Sequence, residues 1–360
     1  LDNVTSKVIS MVSTQSELLK HEIFLIDRLE NTERDNLKNL PCICLLRPSD
    51  LTVSNLCNEI SVPKYKSYQV YFNNIVSKPR LERLAESDDM EIVSKVAEVF
   101  QDFYTINKTF FTSINIQNSL GINLPDTWDG PSFDSSLDSI ISTLLSLKLN
   151  PVIRYESDSK MCQKLASSVA YKIKENNSLF SDTPKKDISP LLLIVDRRND
   201  PITPLLFPWT YQSMIHEIFG IRNNTVDMSG LPNVGEELKT VVLNETQDKF
   251  YENSMYSNFG ELSQSLKEYI NKYKQKTKTN SSISTIKDMR FFLENYPEFR
   301  KISLNLSKHM LLSSDIDKKI NEWRMWEVSE FQQTLVSDSS FSNHKEELTK
   351  LEDFLFDRIK

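Results

Sequence analysis

The sequence predicts an α/β plus α protein: two parallel-sheet α/β units followed by a mainly helical third. Three patterns predict it. Short apolar runs alternate with short helices up to about residue 105, a second such alternation ends near Ser229, and beyond it apolar residues recur at helical spacing. The divisions fall at 1–105, 106–229 and 230–360, as a 360-residue chain exceeds one ordinary core.

Each element follows from local chemistry. Thr14 and Glu17 stand at capping-box spacing, so a helix starts near Gln15. Cys42–Leu46 reads as a buried strand stopped by Arg47-Pro48, and Leu51, Leu56 and Ile60 mark a short helix. Tyr68–Phe72 is the next strand; Pro79 then opens a helix through Leu84. A helix is expected over Met90–Val96, and the alternation of Val99, Gln101, Phe103 and Thr105 suggests another strand. Residues 107–132 are polar and irregular, a linker. Ile140, Leu144, Leu147 and Leu149 form a helical stripe, and Lys160–Ile173 a second one through Met161, Leu165, Val169 and Ile173. After a loop over 176–189, the apolar run Leu191–Val195 reads as a strand buried on both faces, closed by Asp196-Arg197-Arg198-Asn199-Asp200-Pro201 and followed by a helix over Trp209–Glu217. Leu262, Leu266, Ile270 and Tyr273 share a helical face; Lys272–Ser282 is an exposed tip; Thr285 and Asp288 can cap a returning helix carrying Ile286, Met289, Leu293, Phe299, Ile302 and Leu306. Pro297, inside that pattern, should kink or break it.

Composition narrows the chemistry. A formal charge of -7 argues against nucleic acid or anionic lipid as the main partner, and no apolar run reaches bilayer length. Six glycines are too scattered for a phosphate-cradling loop. His21, His216, His309 and His344 lack metal-ligand spacing, and Cys42, Cys44, Cys57 and Cys162 form no CxxC pair, so neither metal nor cofactor is expected. Cys42 and Cys44 alternate onto one strand face as small apolar residues. The acids Asp196 and Asp200 stand at a strand's carboxyl end, where parallel sheets bind ligands. They could serve a nucleotide-dependent enzyme; the adjacent arginines argue instead for a carboxylate-braced elbow of Asp196, Arg197, Asp200 and Pro201.

The run Asp196–Leu206 with Trp209-Thr210-Tyr211-Gln212-Ser213-Met214 resembles the signature of the SM family, the Sec and Munc-type regulators of SNARE-driven membrane fusion. Thr14–Ile23, Asn74–Lys78, Leu81–Asp89 and Asn258–Leu262 extend the resemblance along the chain and point to its vacuolar-sorting branch. The resemblance implies a three-domain arch and a job without bond-making chemistry. A cytoplasmic, monomeric protein would bind an endosomal or trans-Golgi syntaxin, a vesicle SNARE and the assembled SNARE bundle, and would reach Golgi, endosomal and vacuolar membranes only peripherally. Family members begin with a further strand and helix and continue well past Lys360, so the resemblance implies a chain incomplete at both ends, its second sheet included.

Site residues carry over on matching positions. A pocket for the N-terminal peptide of syntaxin falls on Leu81, Val93, Val96 and Glu98. On the residues alone, Val93 and Val96 would share a helix face and Leu81 would close an apolar groove; core packing between two helices is the other reading. A SNARE-templating hairpin falls at about 261–320, with Pro297 matching a proline that keeps the family's helix bent and Met310 a vesicle-SNARE contact. The apolar stripe leaves Met310 open between core and surface. An architectural tether is a third reading of the whole chain, and would require large exposed apolar patches.

Overall fold

The computed structural model describes residues 1–114, 126–181, 187–232, 234–280, 286–337, 345, 346, 348, 349 and 352, without the side chains of 205, 272–301, 335 and 336. The chain forms two compact units, Leu1–Asn199 and Asp200–Lys360. Among the described residues three buried apolar clusters organise them, two in the first unit and one in the second.

In the first unit, α1 (Asn3–Val12) starts on Asp2, whose carboxylate accepts from Val4 N and Thr5 N. The Thr14/Glu17 capping box opens α2 (Gln15–Lys20) as its spacing requires. A three-stranded parallel sheet follows in the order β1 (Leu37–Leu46), β2 (Tyr65–Phe72), β3 (Val93–Glu98). Its crossovers are α3 (Asp50–Ser61), capped by Ser49, and α4 (Lys78–Glu86), with Pro79 in the first turn. Val53, Leu56, Cys57 and Ile60 recur at helical spacing and bury against Cys44, Leu46, Tyr68, Val70 and Phe72. The sulfurs of Cys42 and Cys44 lie 3.7 Å apart, on one face as alternation demands.

Met90–Val96 is not a helix. Val93–Glu98 pairs in parallel with β2, because Tyr68 N donates to Ile92 O and the Asp88 carboxylate accepts from the backbone N–H groups of Ile92 and Val93 at the strand's entry. Of the expected strand around 99–105 only the end is formed, and it enters a hairpin of β4 (Tyr104–Asn107) and β5 (Phe110–Thr112) inside the segment expected to be a linker.

The second cluster is built by α5 (Gly130–Ser146) and α6 (Lys160–Glu175) on the parallel pair β6 (Val152–Tyr155) and β7 (Leu191–Ile194). A short α7 (Asn177–Ser181) buries Phe180 in the segment expected to be loop. β7 is covered on one face only. Leu192 and Ile194 pack inward, whereas Leu191, Leu193 and Val195 are 58%, 59% and 65% exposed, so the expectation of a strand buried on both faces fails for the described residues. Leu147, expected in the stripe of α5, lies past its end and is exposed.

In the second unit, α8 (Tyr211–Phe219) packs with the hairpin β8 (Thr225–Asp227) and β9 (Thr240–Val242), with α9 (Lys249–Ser254), α10 (Phe259–Asn280) and α11 (Ile286–Glu322). Tyr211, Met214 and Ile215, grouped by periodicity with the preceding unit, lie in this core. The hairpin and α9 interrupt a region expected to be helical. α12 (Met325–Ser337) is tied to the 207–209 segment by a Trp209–Trp326 stack at 4.1 Å and by Trp209 Nε1 donating to Ser329 Oγ at 2.9 Å. α11 runs unbroken across Pro297, so the proline does not end the helix. Residues 281–285 and the side chains of Thr285, Asp288 and the expected 286–299 face lie outside the described residues.

Candidate functional site

The groove candidate is set by the edge strand β3 and the helix before it. Tyr68 pairs with Val93, but Gln69 pairs with Lys95, so one extra residue, Ser94, is inserted in β3. Beyond this bulge Val96 stands opposite Val70 and Glu98 opposite Phe72. Directly paired residues of neighbouring strands share a face, and Tyr68, Val70 and Phe72 form the buried face of β2. Val93, Val96 and Glu98 therefore all lie on the side that carries α3 and α4. The grouping expected from a helix arises from a bulged strand.

On that side Leu81 and Val93 pack half-buried against the first core. Val96 remains 43% exposed, on the strand no further described strand pairs with. Glu98 is engaged: its Oε1 accepts the backbone N–H of Val76 at 2.8 Å, tying β3 to the segment that launches α4. Behind it, Asn74 Nδ2 donates to Asp102 Oδ2 at 3.0 Å, Asn73 Nδ2 to Asp102 Oδ1 at 3.3 Å, and Arg47 Nε lies 3.1 Å from Asp102 Oδ1. This buried carboxylate gathers the ends of β1 and β2 into one frame. Leu81, Val93 and Val96 are thus three apolar residues on the helix-bearing side of the sheet, with an acid at the end of the strand and an edge that no other described strand pairs with, features of the kind a short extended or helical peptide can use.

Both strand-end acids carry hydrogen bonds. Asp196 is gripped by Arg198 through Nε at 3.0 Å and Nη2 at 2.7 Å, and it accepts from Ser159 Oγ at 2.6 Å. The Arg198 hydrogen bond outweighs burial and holds this carboxyl well below the usual carboxylate range. Arg198 also reaches Asp126 at 2.8 Å, and Glu156 accepts from Asp196 N and Asn199 Nδ2. The brace therefore centres on Arg198, which sequence reasoning left out of the named elbow residues. Asp200 Oδ1 accepts from Thr203 N at 3.1 Å, closing the short turn Thr203–Leu205. Among the described residues no group of three or more His, Cys, Asp or Glu could hold a metal ion.

On α11, Met310 is 48% exposed while Leu312, Ile316 and Ile320 are fully buried, which settles its position as surface. The apolar stripe therefore runs at four-residue spacing through Leu312, Ile316 and Ile320, not through 310.

The Sec1 family model matches residues 1–359. The chain belongs to the Sec1 family. It is 46% identical over 351 residues to vacuolar protein sorting-associated protein 45 of Saccharomyces cerevisiae, an alignment covering 98% of this chain and 61% of the relative. Against the Homo sapiens protein of the same name it is 38% identical over 352 residues, covering 98% and 61%. The chain thus spans about three fifths of the length of these relatives. Among solved structures it is similar to the SM protein Vps45 in complex with the Qa SNARE Tlg2, with a TM-score of 0.91 at 42% identity, covering 98% of this chain and 62% of that one. The two α/β cores followed by a largely helical one are thus those of a Sec1-family fold, as the sequence signatures implied.

Proposed function

We propose that this Sec1-family chain is a SNARE-binding regulator of vesicle docking and fusion on the endosomal/trans-Golgi to vacuole route, acting by binding and not by catalysis. The observation that carries the reading is its likeness, at 42% identity and a TM-score of 0.91, to an SM protein solved with a Qa SNARE. The partners are a syntaxin-type SNARE at Leu81, Val93, Val96 and Glu98 and a vesicle SNARE on the α11 face that carries Met310, with Pro297 in the same helix. Chemistry supports the first site: apolar side chains give anchoring area, Glu98 fixes the approach of α4, and the strand edge offers backbone hydrogen bonds. Of the two acids the enzyme alternative would use, Asp196 and Asp200, the first is committed to Arg198 and Ser159. No helix among the described residues is long and apolar enough to cross a membrane, and membrane contact is proposed to be peripheral, through SNAREs, from the cytoplasm.

Titration calorimetry with the N-terminal peptide and the cytosolic domain of a Qa SNARE tests the reading. The wild-type chain should bind both. Leu81→Arg should weaken peptide binding by about ten-fold or more, equivalent to roughly 1.4 kcal/mol, without loss of fold. Absence of wild-type binding, or equal affinity in the folded variant, overturns it. Adenosine triphosphate should leave the melting temperature unchanged.

A further inference from the structure

Beneath the exposed face of α11 lies a buried polar network that the apolar core does not require. Asp248, 2% exposed, caps α9 through Oδ1, which accepts from Phe250 N and Tyr251 N. Its Oδ2 receives Lys308 Nζ at 2.5 Å and His309 Nε2 at 2.7 Å. Lys308 Nζ also lies 3.3 Å from Val242 O. The other ring nitrogen of His309 is 2.8 Å from the Tyr211 hydroxyl. All four side chains are nearly or fully buried. A carboxylate only accepts, so Nε2 carries the proton, and in the neutral ring Nδ1 then accepts from Tyr211. Burial pushes the imidazole's pKa down against the pull of Asp248. Burial alone would raise the Asp248 carboxyl; the hydrogen bond from His309 and the Lys308 charge outweigh it and hold the group well below the usual range.

One network therefore ties α8, β9 and the cap of α9 to two consecutive residues of α11. Consecutive helical residues point about 100° apart. Leu312, Ile316 and Ile320 fall between and just beyond those two directions, and Met310 lies about 140° from the middle of the buried arc. An apolar ladder tolerates modest rotation, because dispersion contacts are not directional. A carboxylate shared by an ammonium and an imidazole does not: any turn or slide of α11 strands a buried charge. Buried ion pairs add little stability over apolar isosteres, and their best-attested use is to fix register.

We infer that Tyr211, Asp248, Lys308 and His309 form a positioning lock that sets the axial rotation of α11, and so the presentation of Met310 and its neighbours to a helical partner. The inference rests on the proposed SNARE contact of that face for its consequence, but not for its first test. That test reads the ¹³C-methyl resonance of Met310 in the full 360-residue chain. Tyr211→Phe, which removes one hydroxyl at constant volume, and Asp248→Asn should each shift or broaden the signal. Leu312→Val, a shortening in the same buried stripe that leaves the polar groups intact, should not. The second test is capture of a vesicle-SNARE cytosolic domain, which Tyr211→Phe should weaken roughly ten-fold, mid-range for couplings through packed networks, with Leu312→Val near wild type. An unmoved Met310 signal in Tyr211→Phe overturns the lock. A moved signal with unchanged capture overturns its role in binding. If the wild-type chain captures no SNARE, the functional reading falls, and the methyl signal alone decides the lock.

Discussion

Replacing Asp102 by Asn should destabilise the first unit out of proportion to one atom exchanged. Asp102 is 1% exposed and takes the amides of Asn73 and Asn74 and the guanidinium of Arg47 on its two oxygens. Every partner is a donor. An Asn side chain keeps one accepting oxygen and turns the other into an NH₂ group facing donors. Breaking a buried ion pair on one side costs about 3–5 kcal/mol; Arg47 keeps some contact with water, at 20% side-chain exposure, which favours the lower end. We expect about 3 kcal/mol. The backbone of Asp102 bonds separately, its N–H to Ser142 Oγ at 2.8 Å and its C=O accepting from Ser139 Oγ at 2.7 Å, so the substitution tests the carboxylate and spares the contact with α5. In urea, with a slope of about 2–3 kcal/mol per molar, the midpoint should fall by roughly 1–1.5 M. Hydrogen exchange should rise first around Asn73–Val76, the segment Glu98 also holds. A midpoint within error of wild type would refute the reasoning, because it would mean the buried carboxylate is dispensable.

Asp196→Ala removes the bidentate grip of Arg198 and the Ser159 contact; with Arg198 half exposed the loss should be about 2 kcal/mol, and a denaturation curve superimposing on wild type would count against the brace. Asp138 makes a pH prediction. Burial first, and the Asp102 charge second, push its carboxyl up to about 6. A raised pKa favours the protonated form in the fold, so its contribution is present below about pH 4 and is lost as pH rises through 6. Asp138→Asn should therefore gain on wild type between pH 4 and 7, by less than about 1 kcal/mol because half of the side chain is in water. A pH-independent difference in melting temperature would refute it.

Much of the fold was legible because it is local. The Thr14–Glu17 box, Pro79 at the start of its helix and the four-residue spacing of Leu56 and Ile60 fix helices without reference to distant residues. The failures share a cause. Val93 and Val96 stand three apart, which reads as helical, yet a bulged strand gives the same one-sided result. Three-residue strands such as Thr225–Asp227 are too short to show a period. Leu191–Val195 looked buried on both faces because an apolar run carries no information on how many layers cover it. At the candidate sites, Leu81, Val93, Val96 and Glu98 were named through a family resemblance, and the structure supplies the reason they share a side. Neither Glu98's grip on Val76 nor the Asp248–His309 pair could be read: the partners are 22 and 61 residues apart. A polar Lys-His doublet entering an apolar stripe was the one available hint.

The single residue inserted at Ser94 acts as a parity bit for the edge of the first sheet. Chain alternation has only two answers, inward or outward, and one added residue inverts every answer downstream. The bulge absorbs that inversion: with Ser94 taken out of the pairing, Val93, Val96 and Glu98 stand at alternate ladder positions and keep one face. What occupies position 94 thus matters less than the irregularity that takes it out of the pairing. Substitution at this point is a small perturbation, and even deletion of the residue would close the bulge into a regular ladder that keeps both valines and the glutamate on one surface; only forcing Ser94 into the regular pairing would turn Val96 and Glu98 to the opposite side.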